Sequence, residues 1–370
     1  MTAISTTAHS KNHYTILDGL RGVAALTVVV FHLFEVYALG DPFKQIVNHG
    51  YLAVDFFFML SGFVVAYAYD DRWQAMSQWD FYKRRLIRLQ PMVIMGSLIG
   101  AALFYFQAGS VFPKIGSVSA STLLLVMFIG CTLVPLTRSL DIRGWSETYP
   151  LNAPAWSLFY EYIGNVLYAV GLRKLSNRAL AVFVFLAAVL LLSVAVYRGS
   201  LAGGWSLDGP NVLLGFSRLL FPFFAGVLLM RLGKRIHAKG AFGLCGVLLI
   251  ATLAIPRIGG TTHRWENGLY EALCVIFVFP FIIALGAGDM RVEGRAIKLA
   301  RFFGDVSYPL YITHYPLIYI YTAWAIPKKV PPGPSAAVGV LLLIVSIVIA
   351  YACLKLYDEP LRRWLSRQKT

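Results

Sequence analysis

Long apolar runs recur along all 370 residues of the chain and are separated by short polar connections. Eleven segments are apolar enough to form helices buried in protein or lipid: 16–38, 50–69, 92–107, 121–136, 155–172, 179–197, 211–231, 242–256, 269–287, 305–325 and 335–357. A helix needs about 17 to 25 apolar residues to cross a bilayer, so this pattern predicts an all-α fold, a polytopic membrane helix bundle. The composition agrees, since 58% of the residues are hydrophobic and only 14% are charged, against about 25% charged residues in a typical soluble domain.

The distribution of Lys and Arg predicts how the bundle is oriented in the membrane. Five stretches are strongly basic: 83–91, 173–178, 231–239, 291–301 and 362–370. Cytoplasmic loops are enriched in Lys and Arg, and these stretches share one side only if the segment near 121–136 does not cross. We therefore predict about ten transmembrane helices, both termini in the cytoplasm, and a re-entrant or interfacial segment near 121–136. This topology leaves Lys328 and Lys329 on the opposite side.

The same pattern predicts one transmembrane domain with short ends. Residues 1–13 are polar and predicted to be a disordered cytoplasmic N-terminus, 14–361 form the membrane domain, and 362–370 form a basic cytoplasmic tail. The formal net charge of +15 is explained by basic cytoplasmic loops, so nucleic acid is not an expected partner. The four cysteines stand singly in apolar runs, which indicates neither a disulfide framework nor a zinc site.

The first apolar segment carries four ionisable residues, Asp18, Arg21, His32 and Glu35. Such groups are costly in lipid and usually face a protein interior or a water-filled cavity. Arg21 and His32 are 11 positions apart, so on a helix they share one face about three turns, or roughly 16 Å, from each other. They are placed to hold the two ends of a long ligand with a charged head. A surface arginine and a structural histidine fit the spacing equally well.

The predicted topology brings three carboxylates, those of Glu35, Asp55 and Glu161, to the depth of His32. Glu35 follows His32 by three positions and shares its helix face. A carboxylate partner can fix the imidazole tautomer and raise its basicity, as general-base catalysis requires. A structural polar network between helices is the alternative, but four ionisable groups at one level favour a site.

A second basic feature, in the basic loop 83–91, is the pair Arg85 and Arg88, which would project together on a helix because they are three positions apart. The planar guanidinium binds phosphate oxygens in a bidentate manner and stays charged. With Arg21 at the same membrane surface, the pair predicts a site for a phosphorylated ligand. Anchoring to lipid head groups is the alternative.

Six motifs follow one another along the chain: 17–22 with His32, 55–63, 84–91, 156–158 with Glu161, 304–314, and 359–360. In this order and spacing they resemble the acyltransferase-3 family of integral-membrane acyltransferases, over nearly the whole chain. One departure is Gln90, which stands before Pro91 where the family leads us to expect an aromatic residue. The resemblance also leads us to expect a membrane domain without a fused esterase-like domain.

The resemblance implies an enzyme of the bacterial inner membrane that transfers an acyl group, most simply acetyl. The donor is expected to be cytoplasmic acyl-CoA (acetyl-CoA), and the acceptor a carbohydrate hydroxyl of an exopolysaccharide, O-antigen or other lipid-linked glycan. No metal is expected, and membrane lipids surround the protein. The donor-binding candidates are Arg21, Arg84, Arg85 and Arg88.

His32 is the expected catalytic residue, as a general base or as a transient acyl acceptor. Glu35, Asp55 or Glu161 is expected to orient it. The candidate substrate-binding residues are Trp156, Tyr160, Ser307, Tyr308 and His314, although core packing explains His314 equally well.

A transporter or flippase is the competing class of function. A basic cytoplasmic entrance and intramembrane carboxylates also fit a proton-coupled exporter of an anionic glycolipid. Such folds often contain internal repeats, and we find none in this sequence. A receptor that only binds coenzyme A is a third possibility, and it predicts binding without turnover.

Overall fold

The structure is a computed structural model that describes residues 14–288 and 295–367. This described part contains fourteen α-helices and no strand: α1 Thr15–Tyr37, α2 Ala53–Tyr69, α3 Gln78–Ala102, α4 Ala120–Thr132, α5 Ala155–Val170, α6 Asn177–Arg198, α7 Gly209–Leu232, α8 Ala241–Ala254, α9 Arg264–Leu273, α10 Phe279–Gly286, α11 Arg295–Thr313, α12 Tyr315–Lys328, α13 Pro332–Cys353 and α14 Glu359–Arg367. The predicted disordered segment 1–13 lies outside the described residues. The predicted basic tail begins within α14.

Six helical runs in the described ranges are long and apolar enough to cross a membrane: Thr15–Tyr37, Gly50–Tyr69, Asn177–Arg198, Gly209–Leu232, Arg264–Gly286 and Pro332–Arg367. Two of these runs continue through π-helical turns, at Cys274–Val278 and Leu354–Asp358. Shorter apolar helices pack beside them, so the predicted polytopic helix bundle is confirmed. Helix α4 has 13 residues, or about 20 Å, which is less than the roughly 30 Å of bilayer hydrocarbon. The count of ten spans and their orientation stay predictions.

Helix α3 differs from the predicted basic loop at 83–91. It begins already at Gln78 because Ser77 and Asp80 form a reciprocal capping box, which satisfies two backbone N–H groups of the first turn. The whole basic stretch is therefore helical, and Pro91 lies inside the helix instead of closing it. As a result Arg85 is buried in the bundle on a rigid element, whereas Arg84 is exposed.

The predicted single segment 305–325 is divided in two. Helix α11 ends at Thr313, and α12 begins at Tyr315 with Pro316 in its first turn. Proline fits a first turn because the backbone donor that it lacks has no helical partner there. The break falls at His314, whose ring therefore sits at a bend between two helices.

Close helix contacts at small residues fix the middle of the bundle. A Cβ on Gly62 of α2 would lie 1.8 Å from the carbonyl oxygen of Phe223 in α7, and one on Gly226 would lie 2.0 Å from that of Met59. Membrane helices approach this closely where glycine leaves the backbone bare. Gly22 plays the same part between α1 and α11, since its Cβ would lie 2.6 Å from the carbonyl oxygen of Phe303.

Candidate active site

Two cavities lie in the bundle along one face of α1. The first, which we call the arginine cavity, measures about 270 Å³ and is lined by Arg21, Arg85, Arg88 and Arg362. The second, which we call the histidine cavity, measures about 620 Å³ and is lined by His32 among others. Arg21 and His32 thus face different cavities, whereas their spacing led us to expect the two ends of one long ligand site.

Arg21 is held in place by helix α11. Its Nε donates to Ser307 Oγ at 2.8 Å and its Nη2 donates to the carbonyl oxygen of Gly304 at 2.9 Å. The same Nη2 lies 3.1 Å from Asp18 Oδ1. These contacts are possible because glycines let α1 and α11 approach closely, and they fix the guanidinium at the cavity wall.

Arg85 is buried and paired with Glu161. Its Nη2 lies 2.7 Å from Glu161 Oε1, which also accepts a hydrogen bond of 2.6 Å from Ser61 Oγ. The Nε of Arg85 is buried and has no partner among the residues described. A buried donor without a partner is costly, so this atom is available to a ligand oxygen.

Arg88 makes no hydrogen bond or ion pair within 14–288 and 295–367, although it lines the same cavity. Asp358 lines it too and keeps one buried carboxylate oxygen without a partner in the described part of the chain. Arg84 is exposed and does not line the cavity. The geometry therefore supports three of the four predicted arginines as a set and leaves Arg84 outside it.

His32 stands at the wall of the histidine cavity with its ring fixed on three sides. Its Nδ1 lies 2.9 Å from Glu35 Oε2. The ring stacks on that of His314, with centroids 5.6 Å apart, and meets the edge of Tyr315 at 4.8 Å. Since a carboxylate only accepts, Nδ1 carries the proton and the lone pair of the neutral ring is on Nε2. That is the tautomer a general base needs.

His314 is fully buried at the bend between α11 and α12. Its Nδ1 lies 3.0 Å from the carbonyl oxygens of both Leu310 and Tyr311. Its Nε2 is buried with no partner in the part of the molecule that the structure describes. These two contacts with the preceding helical turn hold the His314 ring, which stacks against that of His32.

Asp55 and Glu161 are not paired with His32, so of the three carboxylates expected at its depth only Glu35 is in a position to orient it. Asp55 forms a fully buried ion pair with Arg218, at 2.6 Å between Oδ2 and Nη2. Glu161 faces the arginine cavity. A buried carboxylate needs a cationic partner more than a neutral imidazole, and only Glu35 remains next to His32.

The predicted substrate-binding residues fall into three places. Trp156 lines the histidine cavity, and its ring lies 5.2 Å from the Arg218 guanidinium carbon. Ser307 and Tyr308 line the arginine cavity instead, and Tyr308 Oη donates to the carbonyl oxygen of Leu89 at 2.5 Å. Tyr160 is packed in the core and lines neither cavity.

A polar cluster that the sequence did not indicate borders the histidine cavity. Glu147, in the connection between α4 and α5, accepts a hydrogen bond of 2.5 Å from Tyr319 Oη. Arg143 lies 3.8 Å from the same carboxylate and 3.4 Å from the centre of the Tyr319 ring. Burial raises the pKa of Glu147 to about 7. No motif marks this cluster, because it joins a loop to a helix 172 positions away.

The two cavities meet at Tyr311 and Val54, which line both. Tyr311 Oη is hydrogen-bonded to Ser157 Oγ at 2.8 Å, and its ring meets Phe57 edge-on at 5.4 Å. A thin wall of side chains therefore stands between the arginines and the histidine.

The helical bundle and its cavities define a polytopic membrane protein with a polar interior. The chain belongs to the acyltransferase family, because the family model described as "Acyltransferase domain" matches residues 14–355. The resemblance drawn from the sequence motifs is thereby confirmed. No solved structure matches the chain.

Three relatives illustrate the range of similarity. "Protein 2 in picA locus" of Rhizobium radiobacter is 32% identical over 192 residues, 50% of this chain and 96% of that protein. "O-acetyltransferase OatA" of Staphylococcus aureus is 22% identical over 374 residues, 96% of this chain and 58% of that protein. "Peptidoglycan O-acetyltransferase OatA" of Listeria monocytogenes is 23% identical over 387 residues, 97% of this chain and 57% of that protein. The chain thus spans little more than half the length of the two O-acetyltransferases.

Proposed function

We propose that this protein is an O-acetyltransferase of the bacterial inner membrane. It moves an acetyl group from acetyl-coenzyme A in the arginine cavity to a carbohydrate hydroxyl in the histidine cavity. Family membership supports acyl transfer, and the names of two relatives support O-acetylation of a glycan. The observation that carries the proposal is the His32–Glu35 pair in one cavity, separated from the arginines only by the wall at Tyr311 and Val54.

The arginine cavity suits the phosphate end of the donor. Arg88 makes no hydrogen bond or ion pair among the described residues, and the buried Nε of Arg85 is free to donate. Arg21 stands beside them, at the surface that the positive-inside rule assigns to the cytoplasm. The roughly 16 Å between Arg21 and His32 along α1 gives room for the extended arm of a coenzyme A thioester. That arm would pass Tyr311.

His32 acts on the acceptor through Nε2, the nitrogen that Glu35 leaves unprotonated. As the acceptor oxygen attacks the thioester carbonyl carbon, Nε2 takes its proton, and Glu35 stabilises the resulting imidazolium. The carbon–sulfur bond then breaks, and the imidazolium returns the proton to the thiolate. In the alternative order, Nε2 attacks the thioester carbon, and the carbon–sulfur bond breaks to release the thiolate. The acceptor hydroxyl then attacks the acetyl carbon, the bond to Nε2 breaks, and the hydroxyl proton passes to the thiolate.

A His32→Ala variant tests the proposal, with His263→Ala as the matched control. His263 is exposed and lines neither cavity. Purified proteins in liposomes receive labelled acetyl-CoA and a glycan acceptor, and acetylated glycan is measured by mass spectrometry. Loss of the general base is expected to lower the transfer rate about 100-fold or more, while the control keeps the wild-type rate.

The same assay separates the enzyme from the transporter. Thermal unfolding verifies that both variants are folded. Should the His32→Ala protein transfer acetyl at the wild-type rate while glycan export fails, the enzymatic proposal is wrong and the transporter is favoured.

A further inference from the structure

Two tryptophans on separate loops face the histidine cavity. Trp145 lies in the connection between α4 and α5, and Trp205 lies between α6 and α7. Their side chains are 41% and 39% exposed. Thr148 ties the loops together, since its backbone N–H and its Oγ1 donate to the carbonyl oxygen of Trp205 at 2.9 and 3.0 Å. The two loops that carry the tryptophans are therefore joined beside the cavity.

Such rings offer what a sugar needs. The indole has a broad apolar face and a polar N–H, and the C–H face of a pyranose packs on flat apolar surfaces while its hydroxyls seek hydrogen bonds. Tryptophans are also common in interfacial belts, where they face lipid. A belt residue does not explain why these two line the same cavity as Glu147 and His32.

Among the basic residues that line this cavity, Arg257 alone makes no ion pair within the described ranges. Arg218 is neutralised by Asp55, and His32 is paired with Glu35. Arg257 also lines the cavity and is half-buried, but it makes no ion pair or hydrogen bond within the described ranges. The guanidinium carbon of Arg257 lies 6.0 Å from the centre of the Phe43 ring. This contact leaves the guanidinium N–H groups open to an anion.

We infer that the histidine cavity takes an acidic glycan, whose sugar stacks on Trp145 and Trp205 and whose negative group meets Arg257. The negative group is a carboxylate or a phosphate, both of which guanidinium binds well. The inference rests on the proposed function, because it gives the chemical class of the acceptor that presents its hydroxyl to His32.

The test measures equilibrium binding of three probes to the full-length protein in detergent by saturation-transfer NMR titration. The probes are tetragalacturonate, its fully methyl-esterified and uncharged form, and a phosphorylated mannopentaose. Wild-type protein is expected to bind a charged probe about tenfold more tightly than the esterified one, as one charge-assisted contact predicts. Comparison of the two charged probes distinguishes carboxylate from phosphate.

The chain supplies matched controls for each residue. Trp145→Ala and Trp205→Ala are each expected to weaken the binding of the charged and the uncharged probes alike, by about tenfold. Trp265→Ala removes a tryptophan that is somewhat more exposed, at 48%, but lines neither cavity, and it should leave the binding of all three probes unchanged. Arg257→Gln is expected to abolish the preference for charge, and Arg264→Gln to leave it intact.

Several outcomes would overturn the inference. Equal binding of charged and esterified probes by the wild type would do so, as would a preference that survives Arg257→Gln. If Trp265→Ala weakens probe binding as much as Trp145→Ala does, the tryptophans are interfacial belt residues and do not form a sugar-binding site. If Trp145→Ala or Trp205→Ala fails to fold, the other variant still tests whether the sugar stacks on these rings, because the two tryptophans lie in different loops. Binding needs no acetyl transfer, so charge-selective binding without turnover would contradict the proposed function alone.

Discussion

Replacing Asp55 by Asn is expected to destabilise the protein without a specific effect on catalysis. Asp55 and Arg218 are both fully buried, and three contacts join them: Nη2–Oδ2 at 2.6 Å, and Nε to each carboxylate oxygen at 3.2 Å. The amide keeps the shape of the side chain but removes its charge. The guanidinium is then left in the bundle without a counterion.

The magnitude follows from what Arg218 retains. Breaking a buried ion pair by removing one partner costs about 3–5 kcal/mol, because the remaining charge stays desolvated. Arg218 still donates to the carbonyl oxygens of Gly203 at 2.9 Å and Tyr51 at 2.7 Å. These two contacts place the expected loss at the lower end, about 3 kcal/mol.

The assay is reversible unfolding in mixed micelles, with acetyl transfer measured on the same samples. Asp41→Asn is the control, because Asp41 forms an exposed pair with Lys44 at 3.3 Å, and exposed pairs add little. The double variant Asp55→Ala/Arg218→Met is expected to be more stable than Asp55→Ala alone, since it removes the orphaned charge. If Asp55→Asn keeps the wild-type free energy of unfolding and yet loses transfer with a shifted pH profile, Asp55 acts on His32 and our structural assignment is refuted.

Three further predictions concern the two cavities. Glu35→Gln should lower kcat about tenfold or more with little change in KM, because the amide no longer stabilises the imidazolium; an unchanged kcat would show that Glu35 has no part in orienting the base. Arg88→Ala should raise KM for acetyl-CoA about tenfold through loss of a charge-assisted contact, whereas Arg84→Ala should leave KM unchanged. Equal effects of the two variants on KM in steady-state kinetics would contradict the assignment of Arg88, and not Arg84, to the cavity. Burial raises the pKa of Glu147 to about 7, against an ordinary 4.5, so the folded state binds the proton more tightly than the unfolded state. The stabilisation from this proton is complete below about pH 4.5 and is lost as the pH rises through about 7. Stability measured by thermal unfolding should lack this decline in Glu147→Gln, and parallel curves of stability against pH for variant and wild type would contradict the prediction.

The hydropathy pattern was sufficient to predict the helices, because burial in lipid or core demands long apolar runs whatever their neighbours are. It could not show that the stretch 83–91 is helical, since a capping box at Ser77 outweighs the polar composition of the following turn. The break at His314 was also missed. Pro316 fits the first turn of a new helix, but the apolar run continues past it and conceals the break.

Within the candidate site, what was predictable is what lies close in sequence. Glu35 was correctly placed beside His32 because a spacing of three positions is fixed by helix geometry. The partner of Asp55 was not predictable, because Arg218 is 163 positions away and comes near only when glycines let α2 and α7 meet. The pairing of Glu161 with Arg85 was not predictable either, because the two residues are 76 positions apart in the sequence.

The most direct measurement of the central claim is an experimental structure of the protein with a non-hydrolysable acetyl-coenzyme A analogue. Our account predicts its phosphates at Arg21, Arg85 and Arg88, its arm past a rotated Tyr311, and its acetyl group within reach of His32 Nε2. An acetyl group that stays in the arginine cavity with Tyr311 unmoved, or phosphates bound elsewhere, would contradict it.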